Sequence, residues 1–148
     1  FMFRAKNLDM NNLNFKGKYS FQYVENAFIE NSVLDTKDAF WHAKNVHIKN
    51  SVVKGEYLAW YSDGLTLENC IISGTQPLCY CKNLKLINCR MIDCDLSFEK
   101  SSVEAEVIGH IDSVKNPTFG RITADSIGEI IINTPDCGCE IVERKKDE

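Results

Sequence analysis

Long hydrophobic runs are missing from this sequence. No stretch approaches the roughly 20 apolar residues that a spanning helix needs, so no membrane partner is expected. An excess of positive charge is missing too. Seventeen basic against twenty-one acidic residues leave a net charge of −4, which argues against a nucleic-acid partner gripped by its phosphates. The opening Phe1-Met2-Phe3-Arg4 has neither the apolar length nor the small-residue cleavage site of a signal peptide. The cysteines number seven, an odd count, and their spacing is not that of a secreted disulfide framework. The one Asn-x-Thr match, Asn116-Pro117-Thr118, is disqualified as a glycosylation site by its proline. Together these absences predict a cytoplasmic protein with free thiols. What remains is a chain of 148 residues, 44% apolar and 26% charged, enough for one domain with its own core. Composition excludes classes here and names no activity.

What is present is a repeat. An Asn-aliphatic step recurs at Asn7, Asn26, Asn45 and Asn83, with Gly64 and Ser102 filling the same 19-residue series. Six registers therefore start at 7, 26, 45, 64, 83 and 102, and a degenerate seventh is expected at Arg121. The second position of each register holds Leu8, Ala27, Val46, Leu65, Leu84 and Val103, and the fourth Met10, Ile29, Ile48, Leu67, Leu86 and Ala105. The sixth holds five asparagines in succession: Asn12, Asn31, Asn50, Asn69 and Asn88. The seventh runs Ser32, Ser51, Cys70, Cys89, and the ninth Phe15, Leu34, Val53, Ile72, Met91.

Apolar residues alternating at positions 2 and 4 have the period of a strand. Helical solenoid units are longer, roughly 33 residues or more, and no leucine-rich pattern is present. The unit is therefore one coil of an all-β, parallel β-helix with six to seven coils. Coils of 19 with no hexapeptide signal point to the right-handed type. At about 4.8 Å per coil the stack is on the order of 30 Å long. Stacked asparagine amides can donate to one neighbour and accept from the next, which predicts a ladder satisfying buried polar groups at a turn. Asn and Gly at position 1 suit a residue with positive φ. Gly17, Gly55 and Gly74, all at position 11, suggest a second corner.

Residues 1–132 read as a single β-helix domain and 133–148 as a terminal strand and charged tail. Ile130-Ile131-Ile132 reads as the last strand within the domain. Phe1 falls at position 14, inside a coil. A solenoid needs capped ends, so the chain reads as the C-terminal part of a longer solenoid, with self-association through uncapped coils as the alternative.

Carrying strand alternation backwards from position 2 sends positions 14, 16 and 18 inward and 13, 15 and 17 outward. Trp41 and Trp60 at position 16 then face the core. Tyr23, His42, Tyr61 and Tyr80 at position 17 face water, with Phe21, Phe40 and Tyr57 on the same wall. A bulge would slip this parity by one and turn the tryptophans out.

Several segments carry a further resemblance: Phe21-Gln22-Tyr23, Asp35-Thr36-Lys37-Asp38-Ala39-Phe40-Trp41, Lys54-Gly55-Glu56-Tyr57-Leu58-Ala59-Trp60, Leu78-Cys79-Tyr80-Cys81, and Asp125-Ser126-Ile127-Gly128-Glu129-Ile130-Ile131. They resemble a bacterial domain-of-unknown-function family whose expected fold is the right-handed β-helix of the pectate-lyase superfamily. The resemblance spans nearly the whole chain. It implies that fold and a longer N-terminal part, and it brings no catalytic residue, because fold alone does not specify chemistry.

The chemistry-bearing groups each have a plain alternative. Tyr23, Phe40, Tyr57, Tyr61 and Tyr80 could bind a carbohydrate or a protein partner, or simply stack on one another. Asp35, Asp38, His42 and Glu56 could act as acid and base on a glycan. Lys37 and Glu56, one coil apart, could equally form an ordinary surface ion pair. Asp93 and Asp112 share a column and could hold calcium, or be solvated acids. Cys79, Cys81, Cys137 and Cys139 lack the usual zinc spacer, and Cys70 and Cys89 read as small core residues. His110 stands where an aliphatic is expected, as a satisfied core or edge histidine. No metal or cofactor is expected. The best reading is a recognition scaffold without enzymatic activity. The alternative is a carbohydrate-active lyase or hydrolase.

Overall fold

The computed structural model describes residues 1–144 and contains no helix among them, so no helix is long and apolar enough to cross a membrane. The charged tail beyond Arg144 lies outside the described residues. Strands follow one another around each coil: β1 (Lys6–Asn11), β2 (Asn14–Lys18), β3 (Glu25–Glu30), β4 (Val33–Lys37), β5 (Lys44–Lys49), β6 (Val52–Lys54), β7 (Asp63–Glu68) and β8 (Ile71–Ser73). They continue as β9 (Leu84–Ile92), β10 (Ser102–Val107), β11 (His110–Lys115), β12 (Phe119–Ala124), β13 (Ser126–Ile131) and β14 (Gly138–Glu143). Every pairing is parallel. One wall is β1-β3-β5-β7-β9-β10-β12-β14, and the next is β2-β4-β6-β8 running on into β9. β11 and β13 form a separate pair above it. This is a parallel β-helix.

The register is the sequence repeat made physical. Lys6 pairs with Glu25, Leu8 with Ala27 and Met10 with Ile29, each 19 residues on. The aliphatic columns at positions 2, 4 and 9 stack as the core, where Ile29, Leu34, Ile48, Leu67 and Ile72 are fully buried. Coils shorten near the C-terminus. Ser102 pairs with Phe119, 17 residues on, and His110 with Ser126, 16 residues on. The seventh coil therefore starts at Phe119 rather than Arg121, which pairs with Glu104 instead. After Ile131 the chain goes on to β14, which adds another rung beside β12.

The asparagines turn the chain at two corners. Position 1 has positive φ at Asn7, Asn26, Asn45 and Asn83, with Gly64 at +76°. Position 6 adopts it as well, from +60° at Asn12 to +54° at Asn88. Asparagine tolerates this left-handed conformation better than other side chains. Both columns form amide ladders. Asn45 Nδ2 donates to Asn26 Oδ1 at 2.8 Å, and Asn69 Nδ2 to Asn50 Oδ1 at 3.1 Å. The position-6 ladder is exposed, where the sequence suggested a buried one. The buried polar work falls to the next column, in which Ser32 and Ser51 hydroxyls bridge backbone groups and Cys70 and Cys89 take the same place.

Candidate functional site

The wall that carries the candidate residues is a turn segment and not a strand. Tyr19, Phe21 and Tyr23 have φ of 57°, 61° and 61°, and the same three places are positive in the next coils at Asp38, Phe40, His42 and at Tyr57, Ala59, Tyr61. Amides along the segment alternate direction. Phe40 N bonds down to Ser20 O at 2.9 Å, while His42 N bonds up to Trp60 O at 2.9 Å. A reverse turn then closes the corner, with Ala43 N donating to Phe40 O at 3.3 Å. Extended backbone is what makes side chains alternate, so strand parity does not survive this stretch.

The consequence is a correction at position 15. Phe21 and Phe40 are 0% exposed and stack on each other inside the core at 4.7 Å, with planes 3° apart. Phe40 is therefore a core residue and no part of an outer binding surface. Positions 14 and 18 do face inward, as Ala39, Leu58, Val24, Ala43, Ser62 and Cys81 show. At position 16 Trp41 and Trp60 are half-buried and stacked at 5.4 Å. Their indole N–H groups donate to Tyr57 O at 2.7 Å and Gln76 O at 2.8 Å, and Gln22 does the same to Asp38 O at 2.8 Å. This column of side-chain staples between coils escaped the sequence reading. Its only sign there is that Gln22, Trp41 and Trp60 all carry an N–H donor.

Position 17 faces water as expected. Tyr23, His42, Tyr61 and Tyr80 form a continuous stack, with successive ring centroids 4.7, 5.0 and 5.0 Å apart and planes within 13° of parallel. Tyr23 and Tyr61 are 36% and 48% exposed. The faces of His42 and Tyr61 are covered by their neighbours. The lower end meets Arg4, whose guanidinium lies 4.6 Å from the Tyr23 ring centroid. From Tyr23 through Tyr61 the stack thus turns ring edges and not ring faces to solvent. Tyr57 belongs to another column and packs edge-on against Trp60 at 5.3 Å.

Beside the stack runs a column of alternating charge, Lys6, Glu25, Lys44, Asp63 and Lys82, each in register with the next. Between the two columns lies a groove of about 540 Å³ lined by Arg4, Lys6, Tyr23, Glu25, His42, Lys44 and Tyr61.

Of the four acid–base candidates the structure brings Asp38 and Glu56 together in adjacent coils, with Asp38 N donating to Glu56 O at 2.9 Å. Asp35 sits on β4 between Lys16 and Lys54. His42 is locked in the ring stack. Glu56 is exposed, and Lys37 makes no ion pair with it. Asp38, expected on the surface, is only 6% exposed. Burial holds its carboxyl above the usual value, Lys37 pulls it back, and Glu56 pushes it further up. A carboxyl with a raised folded pKa costs stability as pH climbs past its unfolded value, near 3.8, because the folded state then binds the extra proton. Asp38→Asn keeps a residue tolerant of φ +54° and removes that cost. Its melting temperature should exceed that of the parent at pH 7 and match it at pH 3, as a pair of thermal melts will show.

Two other clusters resolve simply. Cys79, Cys81 and Cys94 are buried, which pushes their thiols up to about 12 and leaves them inert as nucleophiles at neutral pH. Cys139 is partly buried against the core on β14. His110 is exposed, since Ile111 takes the inward place expected of it. Its Nδ1 lies 2.7 Å from Ser126 Oγ and its Nε2 3.7 Å from Asp112. That is the residue set of a hydrolase triad. Yet His110 and Asp112 border a hollow of about 250 Å³ on the side of Arg90 and Asp93, and Ser126 is not among its lining residues.

A family model described as a protein of unknown function (DUF3737) matches residues 1–142. No curated protein and no solved structure matches the chain.

Proposed function

Because the chain belongs to the DUF3737 family of proteins of unknown function, its role is read from its own surface, and we propose that it is a recognition scaffold without catalytic activity whose side wall binds a carbohydrate or protein partner. The observation that carries this is the exposed stack of Tyr23, His42, Tyr61 and Tyr80 beside its groove. Four polar ring edges repeat at the coil spacing on a rigid solenoid. Such a row presents donors and acceptors whose positions are set before any ligand arrives, and preorganisation lowers the cost of binding. A lyase or hydrolase site is the weaker reading. It would need Asp35, Asp38, His42 and Glu56 to converge on one reacting group, and His42 is held between two tyrosines while Asp38 is buried.

The test is a thermal-shift screen against neutral and acidic oligosaccharides, since a ligand that binds only the folded state raises the melting temperature. Tyr61→Phe removes one hydroxyl and leaves the stack intact. The parent should gain several degrees with a cognate sugar, and Tyr61→Phe should lose most of that gain while melting normally alone. An unchanged gain in Tyr61→Phe and in Tyr23→Phe would take the binding surface off this wall.

A further inference from the structure

We infer that the groove between the ring stack and the charge column takes an anionic oligosaccharide, one whose units carry carboxylate or phosphate groups. The inference rests on the recognition reading above and adds the ligand's chemistry to it.

Arg4 brings five N–H groups and Lys6 and Lys44 three each, all without acceptor capacity. Tyr23, Tyr61 and His42 can each donate as well as accept. Glu25 is the only pure acceptor in the lining. The groove cuts the alternating column across two cations and one anion, and Arg4 adds a third cation. Donors and positive charge are therefore both in excess, on a chain whose net charge is −4. A ligand that satisfies them must be rich in acceptors and negatively charged, as charge-assisted bonds from Arg and Lys are the strong ones.

Shape narrows the ligand further. A peptide that binds through its main chain adds to a free strand edge. This wall offers none, because its backbone amides are spent on the coils above and below: Tyr23 N on Trp41 O at 2.8 Å, His42 N on Trp60 O at 2.9 Å. What it offers is a row of hydroxyl and imidazole edges with cations alongside. A chain of sugars presents the matching groups, hydroxyls at every unit and an oxyanion at intervals. The ring faces are already occupied by one another, so recognition runs through these edges and not through sugar stacking.

The test uses the whole chain and isothermal titration calorimetry with defined probes: a neutral tetrasaccharide, its uronate counterpart, a phosphorylated counterpart and an acidic decapeptide. Binding of the uronate or the phosphorylated sugar, with the neutral one at least tenfold weaker, is expected, and whichever binds tighter names the oxyanion. Affinity should drop severalfold between 50 and 500 mM salt. Lys44→Gln and Arg4→Gln should each weaken it about tenfold or more, with melting temperatures near that of the parent. Equal, salt-independent binding of neutral and charged sugars that Tyr61→Phe abolishes would overturn the anionic assignment and leave the recognition wall standing. Binding of the decapeptide alone would overturn the sugar. Binding by none of the probes would remove both readings.

Discussion

Phe40→Ala should be among the most destabilising single substitutions in this protein. The ring is 0% exposed, lies flat on Phe21 and sits in the core column with Ala59 and Leu78. Truncating a buried phenylalanine loses its transfer free energy and leaves a cavity, together about 3–5 kcal/mol. In a chain of this size each kcal/mol is worth roughly 2–4 °C, so the melting temperature should fall by on the order of 10 °C. Tyr61→Ala, two places along the next coil and outward, provides the comparison. It removes an equally large ring from the surface and should cost only a fraction as much. Circular dichroism melts of the two variants decide the matter. If they fall together, column 15 does not face the core.

Gly55→Ala should be comparably severe for a different reason. Gly55 has φ +143°, a conformation that side chains rarely adopt, and a Cβ there would overlap the carbonyl oxygen of Thr36 in the coil below. Backbone strain of about 1–3 kcal/mol then adds to a collision with a main chain that cannot move without breaking its rung. Gly74 repeats the arrangement one coil up, against the carbonyl of Gly55. Gly64 is the contrast. Its φ is +76° and the nearest atom to a Cβ is Asn45 N at 3.5 Å, an ordinary contact. Gly64→Asn should therefore melt close to the parent, since asparagine already holds the left-handed region at Asn45 (φ +53°) and Asn83 (φ +52°) and would fill the gap between their ladders. Equal tolerance at positions 55 and 64 would mean the second corner is not closed by the absence of a side chain.

The two glycines show how much was legible in advance. The 19-residue spacing names both of them as corner positions, and the period of Leu65 and Leu67 places a strand on from Gly64. Spacing does not say that one corner presses its backbone on the coil below while the other leaves room. That depends on how close two main chains come, which no single coil contains. The candidate site divides the same way. The repeat alone aligns Tyr23, His42, Tyr61 and Tyr80 in one column, but whether that column or Trp41 and Trp60 face water is settled only by the fold. Phe40 and Asp38 are not recognisable as buried, because alternate residues of their segment take positive φ, and strand parity has no meaning there. Nothing about Phe21, Phe40, Leu78 or Phe98 as residue types foretells a left-handed backbone, which costs a branched or bulky side chain energy unless the surrounding coils hold it.

The parallel coils, their inward aliphatic columns and the asparagine turns can all be read from the linear order of residues. These follow from period and residue chemistry repeated coil after coil. It takes the wound coil to turn the phenylalanines inward, to staple one coil to the next through the tryptophans, and to set the ring edges beside a groove of three cations. Each of those outcomes is set by a contact between residues 16 to 19 apart on adjacent coils, and such contacts exist only once the chain is wound.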